Sequence, residues 1–405
     1  MKREALAGLK VADFSWVIAG PTLTKYLGDH GATVVRVESS SRPCLVRTTP
    51  PYKNGKPGLN RAGYFACVNP NKYSITIDLN DAKGIEITKR LVGWSDVVVE
   101  NFTPGQMERW GLGYEDLKKI KSDIIMVRSS NQGQTGPHAS FAALGLSLTG
   151  LAGFPEITGW PDRSPLPLPM AYSDFVSPRF GVVALLAALD YRRRTGKGQC
   201  IDLSQVECGI HFLAPIILDY AANSREPSRL GNACPCAAPH GVYRCKGEDR
   251  WCALAVFTDE EWQSFCRVLD NPDWTRDIRF TTMLRRKENE AELNKLIEVW
   301  TINYPPEEVM TRMQQAGVAA AVVKNAKDIY EDPQLRHRNF LWQMEHGEIG
   351  PFTCFGQPFE LSKTPAKLKM PSPLLGEHTE YVCTKLLGMS DQEFIELWQS
   401  GAFGS

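Results

Sequence analysis

The sequence predicts an α/β protein: a large domain on a Rossmann-like parallel sheet, followed by a smaller α+β domain. Three observations predict it. Short β-branched apolar runs, such as Thr33–Val37, Asp96–Val99 and Ile124–Val127, alternate with helical patterns in the first part of the chain. The 405 residues exceed what one simple core accommodates. The chain changes character at Asn223–Ala238, where Ser-Arg-Glu-Pro-Ser and Cys-Pro-Cys interrupt the regular patterning.

In order, Leu9–Phe14 reads as a strand, and Pro21–His30 as a helix with proline near its first position. Thr33–Val37 is a buried strand and Ser74–Asp78 a short extended piece. Asp81–Gly93 is an amphipathic helix with Ile85, Ile87, Leu91 and Val92 on its apolar side. Asp96–Val99 and Ile124–Val127 complete the strands. Residues 40–70 lack periodicity and read as a long surface loop. Residues 151–170, rich in Pro and Gly, lead into a helical run at Val182–Leu189. The domains divide as 1–222, a linker at 223–238, a small α+β domain at 239–335, and a segment 336–405 that returns to the large domain. In the small domain, Gly241–Arg244 and Trp251–Val256 are strands. Thr258-Asp-Glu-Glu261 is a capping box opening a helix. Lys287–Thr301 and Pro306–Gly317 are helices, and Val318–Val323 a strand. The final helix falls near Asp391–Gln399.

Composition narrows function. The formal net charge is zero, which argues against nucleic-acid or membrane-surface partners held by bulk charge. No apolar run approaches bilayer-spanning length, and no apolar signal segment follows Met-Lys-Arg-Glu-Ala, so the expected location is cytoplasmic. The eleven cysteines then read as reduced thiols. Cys234-Pro-Cys236, with His240, Cys245 and Cys252, lacks the spacing of common zinc sites, so no metal is expected. The loop Ser15–Pro21 lacks G-x-G-x-x-G, which argues against a dinucleotide despite Glu38 at the end of the next strand. His138 reads as a solvated loop side chain, and Arg192–Arg194 as a helix C-terminus. Trp251, Trp262 and Trp300 read as core.

Four segments carry a resemblance. They are Leu9–Pro21 running on through Leu27–Glu38; Asn71–Leu79 with Val97–Gly105 and Arg109; Pro169–Gly181 around Asp174; and Arg192–Ser204. Standing in this order, they resemble the class III CoA-transferases, the family of formyl-CoA and carnitine CoA-transferases. By local pattern Asp174 is a helix cap; by resemblance it is the nucleophile of a covalent mechanism. The implied chemistry passes through an aspartyl-CoA thioester, with coenzyme A as substrate and no permanently bound cofactor. A helix N-terminus beside it would favour the carboxylate.

The resemblance implies CoA contacts at Ile18, Ala19, Ile77, Asp78, Leu79, Asn101, Phe102, Thr103 and Arg109. It implies a substrate loop at Cys234, Pro235, Cys236, Ala237 and His240. It also implies an interlocked homodimer, or a heterodimer with a homologous subunit. The formyl-CoA branch has an arginine where Ser39 stands, leaving Arg36 or Arg47 to replace it. That branch also has a glycine run where Asn232–His240 stands, which points away from oxalate or formate. The expected donor is succinyl-CoA and the acceptor a larger aromatic or branched acid, as in the benzylsuccinate branch. Two alternatives stand beside this reading. An α-methylacyl-CoA racemase of the same family needs a histidine base where this chain has Phe141-Ala-Ala-Leu-Gly145. A silent partner subunit would have no use for Asp174.

Overall fold

The computed structural model describes residues 4–404; Met1–Arg3, part of the expected leaderless N-terminus, and Ser405 lie outside the described residues. Six strands form one sheet: β1 (Lys10–Asp13), β2 (Thr33–Glu38), β3 (Lys72–Thr76), β4 (Val97–Glu100), β5 (Ile125–Ser130) and β6 (Cys200–Ser204). Their order is β3-β2-β1-β4-β5-β6, and every pair is parallel. Chain order reverses direction between β1 and β4. In such sheets ligands bind at that reversal, beyond the carboxyl ends of the strands.

The sheet is buried on both faces. One face packs Ala12, Val35, Ile75, Val98 and Met126 against the helix Ala82–Trp94, through Ile87, Leu91 and Val92. Asp81 caps that helix by accepting from the Lys83 and Gly84 N–H groups. The other face packs Val11, Val34, Val97 and Ile125 against Leu23 and Leu27 of the helix Ala19–Asp29 and Leu185 and Ala188 of the helix Tyr172–Thr195.

An ionic network is buried at the carboxyl ends of β1 and β2. Asp13 accepts from Ser15, Thr24 and Lys72, and Arg36 lies 3.7 Å from it. Glu38 receives Arg47 through two hydrogen bonds of 2.9 and 2.7 Å. Burial would raise the Asp13 carboxyl, but Lys72 and Arg36 hold it below its ordinary range. Burial pulls the Lys72 amine down to about 8 against the opposing pull of Asp13.

The chain forms two compact units. The first comprises residues up to 154, 167–225 and 334 onward; the second comprises 155–166 and 226–333. Residues 155–166, which the sequence reading assigned to the large domain, thus group with the second unit. Within that unit β7 (His240–Arg244), β8 (Trp251–Ala255) and β9 (Ala319–Val322) form an antiparallel sheet. Its helix Asp259–Val268 opens with the expected capping box of Thr258 and Glu261. In the first unit an antiparallel hairpin, β10 (Leu341–His346) and β11 (Gly350–Phe355), docks on the helix Ala19–Asp29. There Lys25 donates to the Phe355 carbonyl at 3.0 Å and lies over the Trp342 ring.

Four expectations are corrected. Residues 40–70 are not all loop, because Gly63–Val68 is a helix that buries Phe65 and Ala66. Cys200–Ser204, read only as part of a motif, is the sixth strand. The apolar run at Val182–Leu189 is the middle of a 24-residue helix, Tyr172–Thr195. By length and composition that helix is apolar enough to cross a membrane, contrary to the reading that no run approaches that length. Here its Leu185 and Ala188 are packed under the sheet.

Candidate active site

Asp174 is the third residue of the helix Tyr172–Thr195. It does not cap it: Ala171 occupies the cap position without a side-chain bond. Pro178 has no N–H to return to the Asp174 carbonyl one turn back, so the helix is weakened where the carboxylate sits. Asp174 is 8 % exposed, and among the described residues its carboxylate has neither a hydrogen bond nor an ion pair. Burial raises its pKa to about 6. Burial thus acts against the ionised form that the helix terminus was expected to favour. A desolvated, unpaired carboxylate titrating near neutrality is a functional-site signature.

Its surroundings come from two elements. Gly145 opens the helix Gly145–Leu151, and a Cβ there would stand 2.3 Å from both Asp174 Oδ2 and Ala171 Cβ. Only glycine allows this approach. The Ser173 hydroxyl donates to the Gly145 carbonyl at 3.4 Å, tying the two helices together. Burial raises the Tyr64 phenol, and the Asp174 charge raises it further, so the hydroxyl lies in the field of the carboxylate. Phe175, next to Asp174, packs in the same apolar cluster as Ile18, Val17 and Tyr64. Sequence reasoning missed Gly145 and Tyr64. Gly145 was noted only as the end of a stretch lacking a base, and Tyr64 lay inside the region read as loop.

The expected CoA residues divide into three groups. Ile18 and Ala19 are buried at the start of the helix Ala19–Asp29, in or beside the cluster that holds Phe175. Asn101, Phe102, Thr103 and Arg109 follow β4 at the reversal of the sheet. The Asn101 amide brackets Trp16, accepting from its N–H at 2.6 Å and donating to its carbonyl at 2.8 Å, so it joins the loops after β1 and β4. Phe102 packs edge-on to both Trp16 and Trp110. Thr103 and Arg109 are exposed, and the Arg109 guanidinium donates to Gln106.

The third group, Ile77–Leu79, follows β3. Ile77 is core, and its N–H bonds the Glu38 carbonyl. The Asp78 N–H bonds the Ala402 carbonyl, and its side chain accepts from the Asn80 N–H. Leu79 is partly buried against the core. Arg36 and Arg47, expected to replace the missing arginine at position 39, are fully buried in the ionic network.

The expected substrate loop belongs to the second unit. The Cys234 and Cys236 sulfurs lie 3.4 Å apart, Pro235 is exposed between them, and Ala237 is buried. His240 Nδ1 is 2.7 Å from the Asn232 carbonyl. His240 lines a cavity of about 580 Å³ with Trp160, Asn232, Tyr243 and Asn294. Among the described residues no three His, Cys, Asp or Glu side chains are grouped as a metal would require.

A buried lone carboxylate beside a doubly wound sheet suits acyl transfer, and comparisons with known proteins agree. Residues 6–379 match the model of CoA-transferase family III. A succinyl-CoA–D-citramalate CoA-transferase of Chloroflexus aurantiacus is 31% identical over 392 residues, covering 97% of this chain and 96% of that protein. A succinate–glutarate CoA-transferase of Agrobacterium fabrum is 31% identical, covering 95% and 96%. The crystal structure of a CAIB/BAIF family protein from Brucella suis superposes with a TM-score of 0.87 at 32% identity, covering 95% of this chain and all of that one. The family match spans both the sheet and the Asp174 helix, and with these relatives it establishes that the chain belongs to CoA-transferase family III.

Proposed function

We propose that the protein moves CoA from succinyl-CoA to a short dicarboxylic acid, with Asp174 as covalent nucleophile. The carrying observation is the Asp174 carboxylate: buried, unpaired, and raised to about 6. An unsolvated carboxylate is a better nucleophile than a solvated one, yet it is still ionised at neutral pH.

The chemistry balances in four displacements. The Asp174 carboxylate attacks the thioester carbonyl, forming a mixed anhydride and expelling CoA thiolate. The thiolate attacks the aspartyl carbonyl, forming the aspartyl-CoA thioester and releasing succinate. The acceptor carboxylate attacks that thioester, giving a second anhydride and thiolate. The thiolate then attacks the acceptor's acyl carbonyl, which frees the Asp174 carboxylate. No proton need be moved, which agrees with the absence of a titratable base in Phe141–Gly145 and disfavours a two-base racemase.

Both relatives named above act with five-carbon dicarboxylates, one of them branched, and this supports a short, non-aromatic dicarboxylate within the aromatic or branched acids expected from the loop at 232–240. The reading of a dimer is supported by an apolar face left open on the first unit. Val183 and Leu218 are 68% and 65% exposed, and Leu186, Phe212, Ile217 and Tyr220 are also exposed. Such a face fits burial against a second chain. The test is to incubate the protein with succinyl-CoA and a panel of free acids, following each new thioester by chromatography. Exchange with glutarate or citramalate supports the proposal. No exchange with any acid, together with deuterium entering C2 of a 2-methylacyl-CoA, would replace it with the racemase.

A further inference from the structure

The crevice beyond β1 and β4 is walled by the aromatic series Trp16, Phe102 and Trp110, with ring centroids 5.9 and 5.3 Å apart. In doubly wound sheets the ribose of a bound nucleotide lies at the end of β2, where an acid reads its hydroxyl or an arginine reads its phosphate. This chain has the acid, Glu38, but both its oxygens are taken by Arg47, and Arg36 lies 3.4 Å away. Glu38 is 2% exposed, enclosed with its arginine partners and closed to a ribose hydroxyl. Arg36 and Arg47 are equally enclosed.

One guanidinium in this turn remains open. Arg42 is exposed, and its backbone N–H bonds the Ser39 hydroxyl at 3.2 Å, closing the turn after β2. Its guanidinium lies over the Trp16 ring, 5.9 Å from the centroid. Among the described residues it has no carboxylate partner and no side-chain hydrogen bond. Trp16 is itself fixed by the two Asn101 bonds. A guanidinium resting on an indole keeps its in-plane donors free for a bidentate contact.

We propose that Arg42, seated on Trp16, binds the 3′-phosphate on the ribose of CoA. This rests on the CoA-transferase reading and adds the residue that recognises the nucleotide end. A phosphate monoester is a dianion that presents three oxygens, and paired N–H donors of one guanidinium match two of them. The position after β2 and the enclosure of Glu38 together favour a phosphorylated ribose over a free diol.

The test measures calorimetric affinities of the wild type and Arg42→Ala for CoA and for 3′-dephospho-CoA. The wild type should prefer CoA by roughly tenfold or more, the scale of a charge-assisted pair. Arg42→Ala should bind both ligands with the affinity the wild type shows for dephospho-CoA. A variant that keeps the full preference, or a wild type without one, overturns the assignment and leaves the transferase reading intact. A wild type that binds neither ligand overturns both. A loss of affinity through misfolding would weaken both ligands equally, so the ratio separates recognition from structure.

Discussion

Gly145 and Asp174 are in such close approach that one methyl group on Gly145 would stand 2.3 Å from the Asp174 carboxylate oxygen. The same methyl would meet Ala171 Cβ, on the backbone that starts the Asp174 helix. Neither neighbour is the free end of a long side chain, so relief requires the carboxylate to move. Gly145→Ala is expected to lower kcat/KM about a hundredfold, the scale of a misplaced reacting group. Gly150→Ala, in the same helix with nothing within 4 Å of the added Cβ, should leave activity unchanged. Steady-state kinetics with matched circular dichroism checks both. Equal effects of the two changes would refute the proximity argument.

The second prediction is a pH profile. Only the ionised carboxylate is a nucleophile, and burial sets the Asp174 pKa at about 6. kcat/KM should therefore rise with pH through about 6 and level off above it, since this ratio reports ionisation in the free enzyme. A profile flat down to pH 4.5 would mean that no group titrating near 6 controls the reaction.

Stability should show the opposite trend. The folded pKa of Asp174, about 6, lies above the ordinary value of 3.8, so the charged form is disfavoured in the folded state. Its favourable contribution is complete below about 3.8 and is lost as pH rises through about 6. Asn at this position carries no charge. Asp174→Asn should therefore gain on the wild type by roughly 2 kcal/mol between pH 4 and pH 7.5. Thermal or urea unfolding of both proteins at the two pH values checks this. A constant difference would show that Asp174 is better solvated than its burial implies.

Asn101 gives a fourth prediction. Its amide makes both bonds to the Trp16 backbone, so Asn101→Ala frees the loop carrying Trp16. The Michaelis constants for acyl-CoA substrates should rise roughly tenfold, the scale of two lost hydrogen bonds, with a smaller change in kcat. A fall in kcat alone would move Asn101 to the reacting carbonyl.

Much of the fold is legible in the sequence, and the reasons are local. β2 and β4 are β-branched runs buried on both faces, and the final helix falls at Asp391–Gln399 as expected. β6 was harder to see, because Cys200 and Asp202 are exposed, Ile201 is only half-buried, and the strand carries no apolar run. The helix Gly63–Val68 is too short to display a period. The start of the Asp174 helix was hidden by Pro178, which reads as a break but is accommodated inside the helix. Asp174 itself was legible only through the company of its motifs. Its desolvation was not, since that depends on Gly145 and Tyr64, distant in sequence. Nor could the burial of Arg36 and Arg47 be read, because their partners, Asp13 and Glu38, lie partly on another strand.

On the proposed mechanism Asp174 becomes acylated and then holds CoA. The most direct measurement is peptide mass spectrometry of protein turning over succinyl-CoA, quenched with hydroxylamine. A thioester on the Asp174 carboxyl is converted to a hydroxamate, whereas a free carboxylate is not. On that mechanism the hydroxamate appears on the peptide containing Asp174, requires succinyl-CoA, and is absent from Asp174→Ala, which should also lose activity by several orders of magnitude. Full transfer activity in Asp174→Ala, or turnover with no modified Asp174 peptide, would contradict it.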